Sequence, residues 1–121
     1  MPRFVVLLHE TPADYERGTH FDLMLEKEEV LLTWALDRLS TAGSSVEAER
    51  LPDHRLMYLD YEGPVSGDRG NVRRVDAGDF TWIEQQPRGY KALVRGQMLA
   101  GRLVIEQGAE NAHRWRVALS D

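Results

Sequence analysis

The 121-residue sequence predicts a mainly β protein, a small closed antiparallel β-barrel of about eight strands with one long irregular loop. Three observations lead there. Apolar and polar residues alternate over short runs, as on a half-buried strand; sustained helical periodicity is hard to find; and turn-forming residues separate the runs at close intervals. The length fits a single domain, residues 1–121, with one core.

The elements follow in chain order. "MPRFVVLLHE" has one Arg before five apolar residues, a run too short for a signal peptide and followed by no small-residue cleavage site, so it reads as a strand from Arg3 to His9. Strands from His20 to Glu26 and from Val30 to Leu36 are joined by a hairpin at "EKEE". The polar, Ser- and Gly-bearing "DRLSTAGSSVEAERLPD" reads as the long surface loop, with one helical turn. Further strands are expected from Leu56 to Tyr61, Asn71 to Val75, Phe80 to Gln85, Tyr90 to Arg95, Arg102 to Glu106 and Arg114 to Leu119. "DAGD" closes one hairpin among these, and Gly96 and Gly101 bracket another turn. No repeat or low-complexity segment interrupts the pattern.

Composition narrows the function classes. The chain is 42% hydrophobic and 29% charged, ordinary for a soluble globular protein, and no apolar run approaches the roughly 18 residues a membrane span requires. With no cysteine, any metal must be held by His, Asp, Glu or carbonyl groups, and a cytoplasmic monomer is expected. A net charge of -5 argues against broad binding to duplex nucleic acid, whose affinity comes from many cations neutralising phosphates, but leaves room for one phosphate or one strand end. Arg69, Arg73 and Arg74 gather in "GDRGNVRR", which reads as a solvated turn and strand edge.

Chemistry enters with "THFDLMLE". In a strand, Phe21, Leu23 and Leu25 share the core face, so His20 and Asp22 project together from the other. Imidazole and carboxylate at that spacing form a two-ligand fragment for Mn, Fe or Zn, and His9, at the end of the neighbouring strand, is the leading third ligand. Farther on, His54 follows Pro-Asp and is expected to open a strand that also carries Tyr58 on its face. A His beside a Tyr can donate hydrogen bonds to a phosphate or act in acid–base catalysis. "EGPVSGDRG" next fixes a tight loop able to present backbone N–H groups to an anion. His113 reads as an exposed or capping residue at the start of a strand.

Taken in order, "RFVVLLHE", "HFDLMLE", "VLLTWAL", "DHRLMYLDYEGPVSGDRGNV", "VDAGDFTW" and "LVRGQMLAGRLVI" resemble the 3'-phosphoesterase domain of bacterial DNA ligase D and its stand-alone relatives. The resemblance implies a small β-barrel with a divalent metal, typically manganese, that removes a terminal 3' ribonucleoside and then the 3'-phosphate at DNA breaks. It implies His9, His20 and Asp22 as metal ligands, His54 as the histidine on the scissile phosphate, Tyr58 in the same pocket, and Asp53 as a group that orients His54. The expected partner is a 3' end of DNA or RNA, or another phosphoester, with a ligase or polymerase acting alongside. The sequence departs from the family at phosphate-binding positions: Met24 replaces an arginine, Leu32 a lysine and Pro52 an acidic residue, while Arg50 could approach the site from its loop. The stretch between His9 and His20 is also five residues longer than usual.

Two other readings bear on the same residues. His-x-Asp with a distant His113 is also the facial triad of non-haem iron oxygenases, although the chain is short for that fold. A catalytically weak or inactive metal-containing barrel that binds nucleic-acid ends or a repair partner is the other, favoured by the lost basic residues.

Overall fold

Alternation in β1 (Arg3–Glu10) sends Phe4 and Val6 into one hydrophobic cluster and Val5 and Leu7 into another on the opposite face. The computed structural model describes residues 1–15, 17–109 and 113–120. After β1 come β2 (His20–Lys27), β3 (Val30–Leu36), β4 (Ser44–Arg55), a short 3-10 helix (Leu56–Leu59) and β5 (Gly63–Pro64). β6 (Asn71–Gln86), β7 (Gly89–Arg95), β8 (Ala100–Gln107) and β9 (Arg114–Ser120) complete the order. The strands pair antiparallel as β1-β2-β3-β4-β9-β8-β7-β6, and β6 pairs back onto β1, so the sheet closes into a ring. Closure leaves no long unpaired edge. Among the described residues no helix is long and apolar enough to cross a membrane.

The inner face forms the main core. Trp34, Tyr90 and Trp115 meet edge to face or stacked, with Trp34 at 5.5 Å from Tyr90 and 5.7 Å from Trp115 between centroids. Arg50 pairs in register with Trp34 and lays its guanidinium 4.8 Å from that ring. It therefore packs in the ring interior as a cation on aromatic faces, and does not approach the polar cleft on the outside. Leu32 belongs to the same interior cluster, so the strand position expected to carry a lysine serves packing.

Three stretches differ from their sequence reading. The expected long loop is largely β4: Val46 and Ala48 alternate inward against outward Glu47 and Glu49, and small apolar residues made that period hard to see. The two strands expected around "DAGD" are one 16-residue strand, β6, whose first part pairs with β1 and whose later part pairs with β7. Two features carry it through. A Cβ on Gly78 would lie 2.2 Å from the Arg95 carbonyl oxygen, so only glycine fits there, and Asp76 is buried with its carboxylate facing the loop between β7 and β8. That carboxylate accepts hydrogen bonds from the backbone N–H groups of Ala77, Gln97, Met98 and Leu99.

The third difference builds the site. Residues 56–59 form a 3-10 helix where a strand was expected, because Arg55 already pairs with Val30, the first residue of β3, and beyond it no strand remains to pair with. The chain instead crosses the outer face of β1 and β2. There Leu59 packs with Val5, Leu7, Met24, Leu31 and Val72 in a second cluster, with Tyr58 and Tyr61 against it. Arg3 pairs with Asp60 at 2.7 Å, and the backbone N–H of Arg74 donates to Glu62 at 2.9 Å, tying this cover to the ring.

Candidate functional site

His9 and His20 are Cα partners across β1 and β2, and Asp22 is the next residue of β2 on the same face. The expectation for faces holds, since Phe21, Leu23 and Leu25 pack on the main core. Yet His20 and Asp22 are themselves buried, 3% and 2% exposed. One ligand atom from each of His9, His20 and Asp22 lies within 4.8 Å of the others.

Hydrogen bonds to the backbone decide which nitrogen of each ring faces the carboxylate. His9 Nε2 lies 2.7 Å from the Arg69 carbonyl oxygen, and His20 Nδ1 lies 2.8 Å from that of Gly18. A carbonyl only accepts, so both nitrogens carry their protons and the opposite ones, His9 Nδ1 and His20 Nε2, hold the lone pairs of the neutral rings. These sit 3.5 Å and 3.0 Å from the two Asp22 oxygens. Lone pairs facing a carboxylate repel unless a cation or a proton lies between them. Asp22 Oδ1 is buried without a hydrogen-bond partner among the described residues, although His20 Nε2 is close. Two imidazoles and a carboxylate suit a first-row divalent ion, and the backbone carbonyls behind the rings orient them as outer-shell groups do in metal sites.

Without an ion, a proton shared between a ring and the carboxylate relieves the same repulsion. Burial pushes the Asp22 carboxyl up, but contact with His20 and then His9 more than reverses this and holds it below the usual range. The His9 imidazole is raised, first by its contact with Asp22, against the opposing effect of burial.

The triad lies in a cleft of about 270 Å³ that is also lined by Tyr15, Arg17, Met24, Pro52, His54, Tyr58, Val65 and Arg69. His54 arrives there through an irregularity in the β3–β4 ladder. Leu51 pairs with Thr33 and His54 with Leu31, so Pro52 and Asp53 together oppose Leu32, and this one extra residue turns His54, not Asp53, to the outer face. His54 Nδ1 donates to the Pro52 carbonyl at 2.8 Å, and its ring meets Tyr58 at 5.7 Å. Asp53 pairs with Arg50, 3.4 Å away, while the Pro52 carbonyl accepts from His54 Nδ1. His113 is exposed and lines a separate cleft with Asp37 and Glu49, and His9 takes the third place that the oxygenase reading gave to His113.

Sequence reading missed Arg17 and Arg69 as cleft residues. Arg69 was assigned to a solvated turn, and only the folding of the loop over β1 brings it to the cleft. Met24 and Pro52, singled out as departures, do line the cleft, whereas Leu32 does not.

A closed antiparallel ring bearing two imidazoles, a buried carboxylate and a His–Tyr pair in one cleft defines a class of small β domains with a metal-competent site. The family model of the DNA Ligase D 3'-phosphoesterase domain matches residues 9–115, and the chain belongs to that family. Among curated relatives, it is 29% identical over 110 residues to the "Multifunctional non-homologous end joining protein LigD" of Mycobacterium bovis. The same identity and length apply to the "Multifunctional non-homologous end joining DNA repair protein LigD" of Mycobacterium tuberculosis. Each alignment covers 84% of this chain but 14% of the relative, so the chain spans only a small part of those proteins.

Proposed function

We propose that the protein is a divalent-metal-dependent phosphoesterase that processes 3' ends of DNA or RNA in break repair, removing a 3' ribonucleoside or a 3'-phosphate. The observation that carries this reading is the convergence of two imidazole lone pairs on the buried, unpartnered Asp22 Oδ1, in a cleft that also holds His54 and Tyr58. Family membership supports the substrate class.

His9, His20 and Asp22 would hold the ion, manganese by preference and zinc or another divalent ion as alternatives. When bound, such an ion supplies Lewis-acid polarisation of a phosphoryl oxygen and an activated water. The chain's own residues do the rest. His54, its ring oriented through Nδ1, presents Nε2 to the phosphate, where the imidazolium form would donate its second proton to a phosphate oxygen or to the leaving oxygen. Tyr58 packs that ring and offers a phenolic O–H to the same cleft. The apolar floor of Met24, Val65 and Val72 limits the water around the reacting group. This domain works in the cytoplasm, beside a ligase or polymerase.

A second reading, an end-binding barrel with little or no catalysis, is favoured by Met24, which puts a thioether in the cleft wall where relatives carry a cation. One experiment separates the two. With Mn and labelled primer-templates ending in a 3' ribonucleotide or 3'-phosphate, the phosphoesterase converts both to a 3'-hydroxyl. Retention of the ends without conversion, across several divalent metals, favours the binding barrel.

A further inference from the structure

Met24 leaves the strand side of the cleft uncharged, yet two guanidinium groups line it from loops: Arg17 between β1 and β2, and Arg69 between β5 and β6. They are held differently. Arg17 forms an ion pair with Glu49 of β4, which offsets its charge. Arg69 donates Nε to the Ser66 carbonyl at 2.7 Å and Nη2 to Ser66 Oγ at 3.1 Å, and no carboxylate among the described residues pairs with it. Its Nη1 donors make no hydrogen bond among the described residues.

The backbone around Arg69 is locked to the metal-competent triad. Gly67, Asp68 and Gly70 adopt positive φ, and the Val65 N–H donates to the Gly70 carbonyl at 2.7 Å, which closes a tight loop. Gly70 lies so near the end of β1 that a Cβ there would come within 2.0 Å of the Glu10 carbonyl oxygen. In that position the Arg69 carbonyl takes the His9 Nε2 proton. One residue thus orients a candidate metal ligand through its backbone and offers the same cleft an uncompensated, pre-anchored guanidinium. A chain with net charge -5 has placed a cation where an anion beside the triad would sit.

We propose that Arg69, seconded by Arg17, is the clamp for the non-bridging oxygens of the substrate phosphate, replacing from loops the cation that the strand lacks at Met24. This rests on the phosphoesterase reading for the identity of the substrate. The physical basis is that a guanidinium fixed by two hydrogen bonds loses little further freedom when it binds an oxyanion.

The test uses the Mn-loaded full chain with inorganic phosphate as probe, followed by calorimetry, beside 3'-end trimming assays. Arg69→Gln should weaken phosphate binding by at least about tenfold, the loss of one charge-assisted hydrogen bond, and raise KM more than it lowers kcat. Arg17→Gln should have a smaller effect and Arg69→Lys an intermediate one. Ser66→Ala, which removes one of the two hydrogen bonds anchoring the guanidinium without touching the Arg69 backbone, should also weaken phosphate binding, and it serves as the test if Arg69→Gln loses Mn. Unchanged phosphate affinity in both Arg69→Gln and Ser66→Ala overturns the clamp. Trimming that survives Arg69→Gln with the same KM also overturns it while leaving the esterase reading intact. Phosphate binding that depends on Arg69 in a protein that trims nothing supports the clamp and removes the esterase.

Discussion

His20 and Asp22 stand two positions apart in β2, with His20 Nε2 3.0 Å from an Asp22 oxygen that has no hydrogen-bond partner among the described residues. The proton that could have joined them is held on the other ring nitrogen by the Gly18 carbonyl. Two buried polar groups in contact but unbonded are costly, and a shared cation removes the cost.

Replacing both His20 and Asp22 with Ala should therefore abolish metal uptake and leave the ring folded. Calorimetry should show Mn stoichiometry falling from one to zero, while circular dichroism keeps its β signature. Loss of affinity should be at least about 100-fold, the upper range for disturbing groups that merely support a metal ligand. Wild-type-like Mn binding by the double variant would sink the assignment of the centre.

The His9–Asp22 pair predicts how stability follows pH without metal. The His9 pKa is raised, so its contribution is fully present below the ordinary value of 6.5 and lost as pH rises through the folded-state value. The Asp22 pKa is lowered, so its contribution is present above 3.8 and lost as pH falls through the lower folded-state value. In chelator, Tm should be highest between these limits and decline from pH 6 to pH 8. Added Mn should stabilise most at the alkaline end, where protons no longer compete for the ligands. A Tm in chelator that rises steadily through that range contradicts the pairing.

His54→Ala should lower kcat by about 100-fold or more while Mn affinity stays within twofold, because the proposed mechanism puts this ring on the phosphate and its contacts among the described residues are with Pro52 and Tyr58. Tyr58→Phe, which keeps the ring packing, should have the smaller effect. Asp53→Ala should leave kcat nearly unchanged, since that carboxylate faces Arg50. A loss on Asp53→Ala as large as on His54→Ala would restore Asp53 to the site.

Asp76→Ala should destabilise the fold by about 3 kcal/mol or more, because it strands several backbone N–H donors of the loop after β7, some of them buried. Urea denaturation measures this directly. Mn affinity in the folded fraction should not change, as the Asp76 carboxylate faces the loop after β7 and does not line the cleft that holds the triad. A shift below about 1 kcal/mol would mean that water replaces the carboxylate.

Gly70→Ala should disturb both fold and centre. The new methyl would collide with the Glu10 carbonyl, and relief of that clash moves the Arg69 carbonyl away from His9. Mn affinity should drop by about tenfold to 100-fold, as for other outer-shell changes at metal sites. The readout is a competition titration against a chelating dye. Unchanged affinity would show that the loop yields without moving its carbonyl.

The local content of the chain determined much of this. Alternation of Phe21, Leu23 and Leu25 against His20 and Asp22 is written into β2, and the "EKEE" hairpin sets β2 against β3 with Lys27 opposite Val30. His9, His20 and Asp22 were legible as a group because adjacent strands place them on one face. His54 was also legible, but its route to the site was not.

Tertiary structure decided the remainder. Whether residues 44–55 form a strand depends on two partners, β3 just before it and β9 far away in sequence, and its small residues carry little periodicity of their own. Whether residues 71–86 turn at "DAGD" or run straight depends on β1 on one side and β7 on the other. Residues 56–59 left the extended form because no strand remained to pair with them. Their crossing of the outer face brings Tyr58 to the cleft that holds the triad, and the loop beyond them brings Arg69 to it. Alternation is a property of a few neighbouring residues, but pairing and cover are properties of surfaces that exist only once the ring has closed.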